Sequence, residues 1–391
     1  MPPFPGNIDM EVILQTETDR GYVEVDLGAI TRNFRICADK MQHGQKLLAV
    51  IKANGYGHGA VPVARRLEGE PGLFGFAVAT AQEAYALRGA GITSPILILG
   101  YVAPEHYERL IRSRVRIPVF RADQPEQIAQ AAARAGEPAL VHLAVDTGMG
   151  RIGVRPDEEG MAYVRRLLQT KGILAEGMFT HFAWADETDQ SYSQLQLGRF
   201  TAFRDRIREE TGFSFRYCHA SNSAAILELP EAHLDLARIG ITLYGLEPSG
   251  EVDVVGPGLT PALSVKSSIV FLKTLKQGES VSYGSLYTAP EDRRVATIPL
   301  GYADGIPRGL SCKGSVLIRG QRCPILGRVC MDQFMVDVTH LSEVSEGDEV
   351  VLLGRQGDEE IRAEEIGAIS GRFNYELVCL LTERLHRVYR E

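Results

Sequence analysis

A lysine that ends an apolar run and opens a glycine-spaced turn can do more than carry charge. Leu47-Leu48-Ala49-Val50-Ile51 reads as a short buried parallel strand, and it stops at Lys52 before Ala53-Asn54-Gly55-Tyr56-Gly57-His58-Gly59. An amine held at the carboxyl end of such a strand loses hydration, its pKa falls, and it can form a Schiff base with a carbonyl. Other chemistry-bearing residues also sit where apolar runs end. Arg151 follows Asp146-Thr147-Gly148-Met149-Gly150, His181 follows the run 173–179, His219 follows 213–218, and Arg238 closes 234–239. Each alone has a plainer reading: a strand-capping lysine, a turn-capping arginine, satisfied core histidines, an arginine paired with a helix dipole. Five on strand ends point to one shared site if those strands form a barrel, because all the ends then converge on one face.

The elements around them support that arrangement. Strand-like runs at 22–27, 47–51, 74–79, 95–100, 117–120, 139–145, 173–179, 213–218 and 234–239 alternate with helical stretches. Thr80 caps a helix running to about Arg88, Pro104 suits a first turn, and Asp123 or Gln124 opens an alanine-rich helix closed by Gly136. A long amphipathic helix is predicted over 192–211. About eight strand–helix units over roughly 240 residues match a (β/α)8 TIM-like barrel. The second choice, an open doubly wound sheet, lacks a G-x-G-x-x-G after a strand. From about Thr260 the pattern changes to strand-like runs at 265–275, 295–300, 315–319, 323–327 and 350–353, with one helix over 363–370. The expected fold is therefore an α/β barrel followed by a mainly β domain. The division is placed at 1–250, with 1–20 an extended lead-in, and 251–391, across the linker residues from Leu246 to Gly258.

Composition narrows the function. With 391 residues, 45% hydrophobic and 24% charged, the chain has the make-up of a globular protein of two or three domains. A net charge of -8 argues against nucleic acid and anionic membrane surfaces as partners. No run approaches a membrane span, and Met1-Pro2-Pro3-Phe4-Pro5 lacks the regions of a signal peptide. The six cysteines show no C-x-x-C pair and no zinc spacing, so no metal is expected and the thiols suit a reduced, cytoplasmic enzyme.

Over about 370 residues the chain resembles the alanine racemase family of fold-type III pyridoxal-phosphate enzymes. The resemblance rests on A-V-I-K-A-N-G-Y-G-H-G at Ala49 to Gly59, D-T-G-M-G-R-I-G at Asp146 to Gly153, H-A-S-N-S at His219 to Ser223 and A-R-I-G-I-T-L-Y-G at Ala237 to Gly245. It continues with V-S-Y-G at Val281 to Gly284, G-Y-A-D-G at Gly301 to Gly305, C-M-D-Q at Cys330 to Gln333 and N-Y-E at Asn374 to Glu376. The resemblance implies interconversion of L- and D-alanine, as for cell-wall peptidoglycan, with serine or a broader set of amino acids as the alternative substrates. It implies pyridoxal 5'-phosphate held by Lys52, with its phosphate gripped by Tyr56, Ser223, the amides of Gly240 and Ile241, and Tyr375. His219 and Asn222 belong to the same cofactor set, His219 orienting Arg238 from behind. Arg238 would face the pyridine nitrogen; always protonated, it cannot stabilise a protonated ring, which disfavours decarboxylation and transamination.

Racemisation needs a proton removed on one face of Cα and returned on the other. By the same resemblance Lys52 serves one face and Tyr283, from the second domain of another subunit, serves the other. A phenol titrates near ~10 in water, so neighbouring positive charge must activate it, with His181 and Arg151 as candidates. Arg151 and the Met331 amide would receive the substrate carboxylate, with Tyr302 and Asp332 lining the entry. The active form implied is a homodimer with shared sites. The sequence departs from the common family pattern at Ala144, where many members carry a carbamylated lysine that orients the arginine; chloride is the expected substitute. A decarboxylase of the same fold would need an acid near the pyridine nitrogen, and a non-catalytic carrier would lack the second domain.

Overall fold

The computed structural model describes residues 20–42 and 44–391. The lead-in expected over 1–20 lies almost wholly outside the described residues.

Eight parallel strands close a barrel: β2 (Lys46–Val50), β3 (Leu73–Val78), β4 (Ile96–Ile98), β5 (Val115–Val119), β6 (Ala139–Ala144), β7 (Ile173–Phe179), β8 (Tyr217–His219) and β9 (Leu236–Ile239), with β9 pairing back onto β2. Several are near-continuous apolar runs, buried from end to end in β4 and β9, as strands covered on both faces must be. Local signals place the helices between them. Thr80 accepts from the Glu83 amide at 3.2 Å while Glu83 accepts from the Thr80 amide at 3.2 Å, a reciprocal cap that starts helix Ala81–Gly89. Gly136, at φ 74°, closes helix Gln124–Ala135 in the left-handed conformation that costs a side-chain-bearing residue more.

The remaining strands form a second compact unit. Its ten-stranded sheet runs β11 (Phe271–Leu275), β14 (Arg293–Ile298), β17 (Phe334–Asp337), β16 (Gln321–Leu326), β15 (Ser315–Ile318), β18 (Glu349–Gln356), β10 (Leu263–Ser268), β1 (Gly21–Asp26) and β20 (His386–Arg390), with β19 (Glu359–Ile361) on β18. A two-stranded ribbon of β12 (Ser280–Val281) and β13 (Tyr287–Thr288) leads into and out of the Tyr283 turn.

Four expectations need correction. The first strand is not part of the barrel: β1 pairs antiparallel with β10 and parallel with β20, so the compact units are residues 27–261 and residues 20–26 with 262–391, rather than 1–250 and 251–391. Its alternating burial is the mark of a sheet with one wetter face, unlike the fully apolar barrel strands. The run 213–218 forms a strand only from Tyr217 to His219; after Gly212 ends the long helix Ser191–Thr211, the chain first packs Phe213 edge-on against Phe215. The run 265–275 splits at Ile269-Val270, because β10 and β11 serve different neighbours. A second helix of the β unit, Asn374–Cys379, was not expected.

Candidate active site

At the carboxyl end of β2 the chain reverses through a left-handed turn. Ala53, Asn54 and Tyr56 have φ of 51°, 52° and 49°, with Gly55 between them at 63°. Each side-chain-bearing residue there costs about 1–2 kcal/mol against the right-handed form, less for Asn, so surrounding bonds must hold the turn. Glu83 Oε1 accepts from the Ala53 amide at 2.7 Å while its Oε2 accepts from Ala79 at 2.7 Å. Asn54 Oδ1 accepts from the Ala60 amide at 2.9 Å. Beneath, Tyr244 lies between the rings of Tyr56 (5.3 Å) and His58 (4.3 Å) and donates to the Val50 carbonyl at 3.2 Å. The turn thus fixes where Lys52 departs from its strand, and the Lys52 Nζ stands 5.8 Å from the centre of the Tyr56 ring.

Lys52, Arg151, His181 and Arg238 line one cavity of about 250 Å³, together with Ala144, Met149, Phe179 and Thr180. The turn that carries Arg151 is braced by Asp146, whose Oδ1 accepts from the Gly148 and Gly150 amides at 3.0 Å each. Arg151 forms no ion pair among the described residues. Arg238 is 3% exposed. Its Nη2 lies 2.8 Å from the Thr180 carbonyl and 2.7 Å from the Ala220 carbonyl, and 3.2 Å from His181 Nδ1, while Nη1 donates to His219 Nδ1 at 2.9 Å. Burial, then Arg151, lowers its pKa to about 9, which leaves it cationic at neutral pH.

The charge expected from His181 is missing. Burial first, and then Arg238, Arg151 and Lys52, push its pKa well below the ordinary imidazole value, so it stands neutral. His219 is likewise held neutral, by burial and then by Arg238 and His142.

Beside the Lys52 turn lies a cradle suited to an anion. Ser223 Oγ accepts from the Gly240 amide at 2.9 Å and sits 3.4 Å from the Thr242 nitrogen. A Cβ placed on Gly240 would lie 3.3 Å from both Ser223 Oγ and Tyr56 Oη, so Tyr56, Ser223 and Gly240 surround one small space. Two hydroxyls and inward backbone amides are the donor set that a phosphate takes, and these residues fit the phosphorylated cofactor expected from the sequence. Ile241 is buried between the two amides at the start of a short 3-10 turn. Asn222 Oδ1 caps helix Ser223–Glu228 by accepting from Ala225 at 3.1 Å.

The β unit gathers a second group. Tyr283, Tyr302 and Cys330 line one surface hollow of about 460 Å³, and Tyr283, Cys330, Met331 and Asp332 line another of about 540 Å³. Ser282, at φ 70°, holds the Tyr283 turn by donating to the Arg328 carbonyl at 2.7 Å, and the tyrosine is 71% exposed. The Tyr302 and Ala303 amides bond the Cys330 and Met331 carbonyls at 3.0 Å each, which keeps the two segments in step. Asp332 pairs with Arg384 at 2.7 Å. Tyr375 is stacked on Phe373 at 4.6 Å.

Sequence reasoning overlooked Glu83 and three residues behind Arg238: His142, Glu176 and Arg116. The available signal was ionisable residues inside otherwise apolar strands, His142 at the centre of β6 and Glu176 at the centre of β7.

A parallel barrel with a lysine, two arginines and an imidazole converging at its strand ends, beside an anion cradle, has the layout of an enzyme of the cofactor-binding barrel class. Comparison with known proteins is specific. Residues 25–248 match the family description "Alanine racemase, N-terminal domain" and residues 262–389 match "Alanine racemase, C-terminal domain". The alanine racemase of Desulforamulus reducens is 47% identical over 368 residues, covering 94% of this chain and 98% of that one. That of Desulfovibrio desulfuricans is 45% identical over 370 residues, 95% and 98% of the two chains. A solved alanine racemase from Clostridium difficile 630 superposes with a TM-score of 0.91 at 38% identity, over 96% and 97%. The chain belongs to the alanine racemase family.

Proposed function

We propose that this protein interconverts L- and D-alanine with pyridoxal 5'-phosphate, using two bases drawn from two subunits. Lys52, Tyr56, Ser223, Gly240, Ile241 and Tyr375 would hold the cofactor. When bound, it supplies an electron-withdrawing ring that acidifies the amino acid's Cα–H. Lys52 Nζ accepts or returns the proton on one face of Cα, and the Tyr283 hydroxyl of a second copy does so on the other. Arg151 receives the substrate carboxylate together with the Met331 amide of the second copy, with Tyr302 and Asp332 at the entry. Because His181 is neutral, Arg151 alone of the two residues expected to bring positive charge to the second base does so. Arg238 presents only donors, so a ring nitrogen that faces it gains no proton, and restraint of carbanion side reactions follows.

The observation that carries this reading is the convergence of Lys52, Arg151 and Arg238 on one cavity, with the guanidinium of Arg238 bonded, among the described residues, to carbonyls and neutral imidazoles alone. Protein loaded with pyridoxal phosphate should absorb near about 420 nm and lose that band to borohydride, and it should form D-alanine from L-alanine, with L-serine as the control substrate. Mixed Lys52→Ala and Tyr283→Ala chains should regain activity through hybrid dimers carrying one intact site. Mixtures that exchange subunits yet stay inactive would rule out sharing of the site.

A further inference from the structure

Behind Arg238 runs a line of buried polar side chains that the proposed chemistry leaves without a task. His219 Nε2 lies 2.9 Å from His142 Nδ1. His142 Nε2 lies 3.5 Å from Glu176 Oε2, at the outer limit of a hydrogen bond, and has no nearer partner among the described residues. Glu176 accepts from Arg116 Nε at 2.9 Å and Nη2 at 3.3 Å. The line passes from Arg238, near the carboxyl end of β9, to Arg116, near the start of β5. Both imidazoles are fully buried, so their ring nitrogens must find partners within the protein.

Counting hydrogens gives the line a direction. A guanidinium has only donors, so His219 Nδ1 accepts from Arg238. A neutral imidazole then carries its proton on Nε2, which donates to His142 Nδ1. His142 in turn keeps its proton on Nε2, facing Glu176. Burial outweighs the pull of Glu176 and keeps the His142 pKa low. Burial pushes the Glu176 carboxyl up, but His142 and Arg116 outweigh it and hold the pKa at about 2. The backbone makes room for this order. A Cβ on Gly177 would lie 2.5 Å from both Cε1 and Nδ1 of His142. Pairing of β6 with β7 slips between Val141 and His142, and the Phe179 ring stacks on His219 at 5.1 Å and 10°.

We propose that Glu176 and His142 are positioning residues that hold His219 in its Nε2–H form and so keep Arg238 aimed as a donor, with Arg116 anchoring the carboxylate. The catalytic consequence rests on the cofactor reading above; the proton arrangement does not. Without an acceptor at 176, His142 can move its proton to Nδ1. His219 must then place its own on the nitrogen facing Arg238, donor against donor, and the guanidinium has to shift.

The test is a two-bond proton–nitrogen spectrum of full-length protein labelled with nitrogen-15 in its histidines, with and without added pyridoxal phosphate. Wild type should show His142 and His219 as neutral Nε2–H forms in both states. Glu176→Leu should move both towards Nδ1–H, shift the visible band of the loaded protein, and lower kcat about tenfold with KM little changed. Glu176→Gln, whose amide oxygen still accepts, should restore the tautomers and most of kcat. If Glu176→Leu does not fold, Gly177→Ala displaces the His142 ring without removing charge and should disturb the same signals. A wild-type His219 protonated at Nδ1, or unchanged tautomers in these variants, overturns the proposal. Wild type that takes up no pyridoxal phosphate but shows the expected tautomers would instead remove the cofactor reading.

Discussion

Arg238 is almost wholly buried, and a charge so placed persists only if its donors are matched. The Thr180 and Ala220 carbonyls and the neutral rings of His181 and His219 face its Nη1 and Nη2 groups. Arg151, in contrast, has no carboxylate partner among the described residues, and Ala144 on the same cavity wall offers nothing to hold it. Chloride should therefore help seat Arg151. Replacing chloride by a bulky organic anion at constant ionic strength should raise the KM for alanine several-fold, and a flat response would remove the anion from the account. At the cradle, Gly240→Ala would press a methyl group against Ser223 Oγ and Tyr56 Oη, each 3.3 Å away. The expected result is weaker uptake of pyridoxal phosphate, on the order of tenfold, as for loss of about 1.4 kcal/mol. Enzyme saturated with the cofactor should keep near-normal kcat. Titrating the visible band against added cofactor measures the first effect.

At the scale of the element, the left-handed turn after Lys52 is held from outside. Glu83 joins it to the next strand–helix turn, accepting from Ala53 as well as from Ala79 and Thr80. Glu83→Ala should lower unfolding free energy by about 1–3 kcal/mol, because amides lose a charged acceptor. Activity should fall further than stability accounts for, because Lys52 loses its fixed departure point; denaturant melts and steady-state rates on the same preparation separate the two. Barrel strands such as 95–100 were legible because burial on both faces demands continuous apolar residues, and cap residues such as Thr80 and Gly136 mark where helices begin and end. The path of the lysine turn was only half legible. Its glycines announced positive φ, but Ala53, Asn54 and Tyr56 adopt it too, through bonds to residues distant in sequence.

For the whole molecule, acid sensitivity follows from the buried imidazoles. His142, His181 and His219 all have folded pKa values below their ordinary value, through burial first. The unfolded chain therefore binds protons that the folded chain refuses once pH falls below about 6.5. Stability contributed by the neutral forms is complete above that pH and is lost as pH falls through it, by up to about 1.4 kcal/mol per pH unit for each histidine. Glu176 adds a second loss at lower pH, between the ordinary carboxylate range and about 2. Thermal melts should show a Tm that holds from pH 7.5 to about 6.5 and then falls towards pH 5; a Tm that does not change with pH would contradict neutral histidines, and His142→Phe should reduce the fall.

The amino-acid sequence by itself determined the alternation of apolar strands and capped helices, the positions of Lys52, Arg151, His181, His219 and Arg238 at strand ends, and the change to a glycine-punctuated β unit. These are local properties, set by periodicity, capping and turn chemistry. Only the tertiary structure decided that β1 leaves the barrel for the second sheet, that His181 is neutral, and that His142 and Glu176 stand behind Arg238. Strand partners, desolvation and the choice of imidazole tautomer each depend on groups far apart in the chain, and only folding brings those groups within bonding distance.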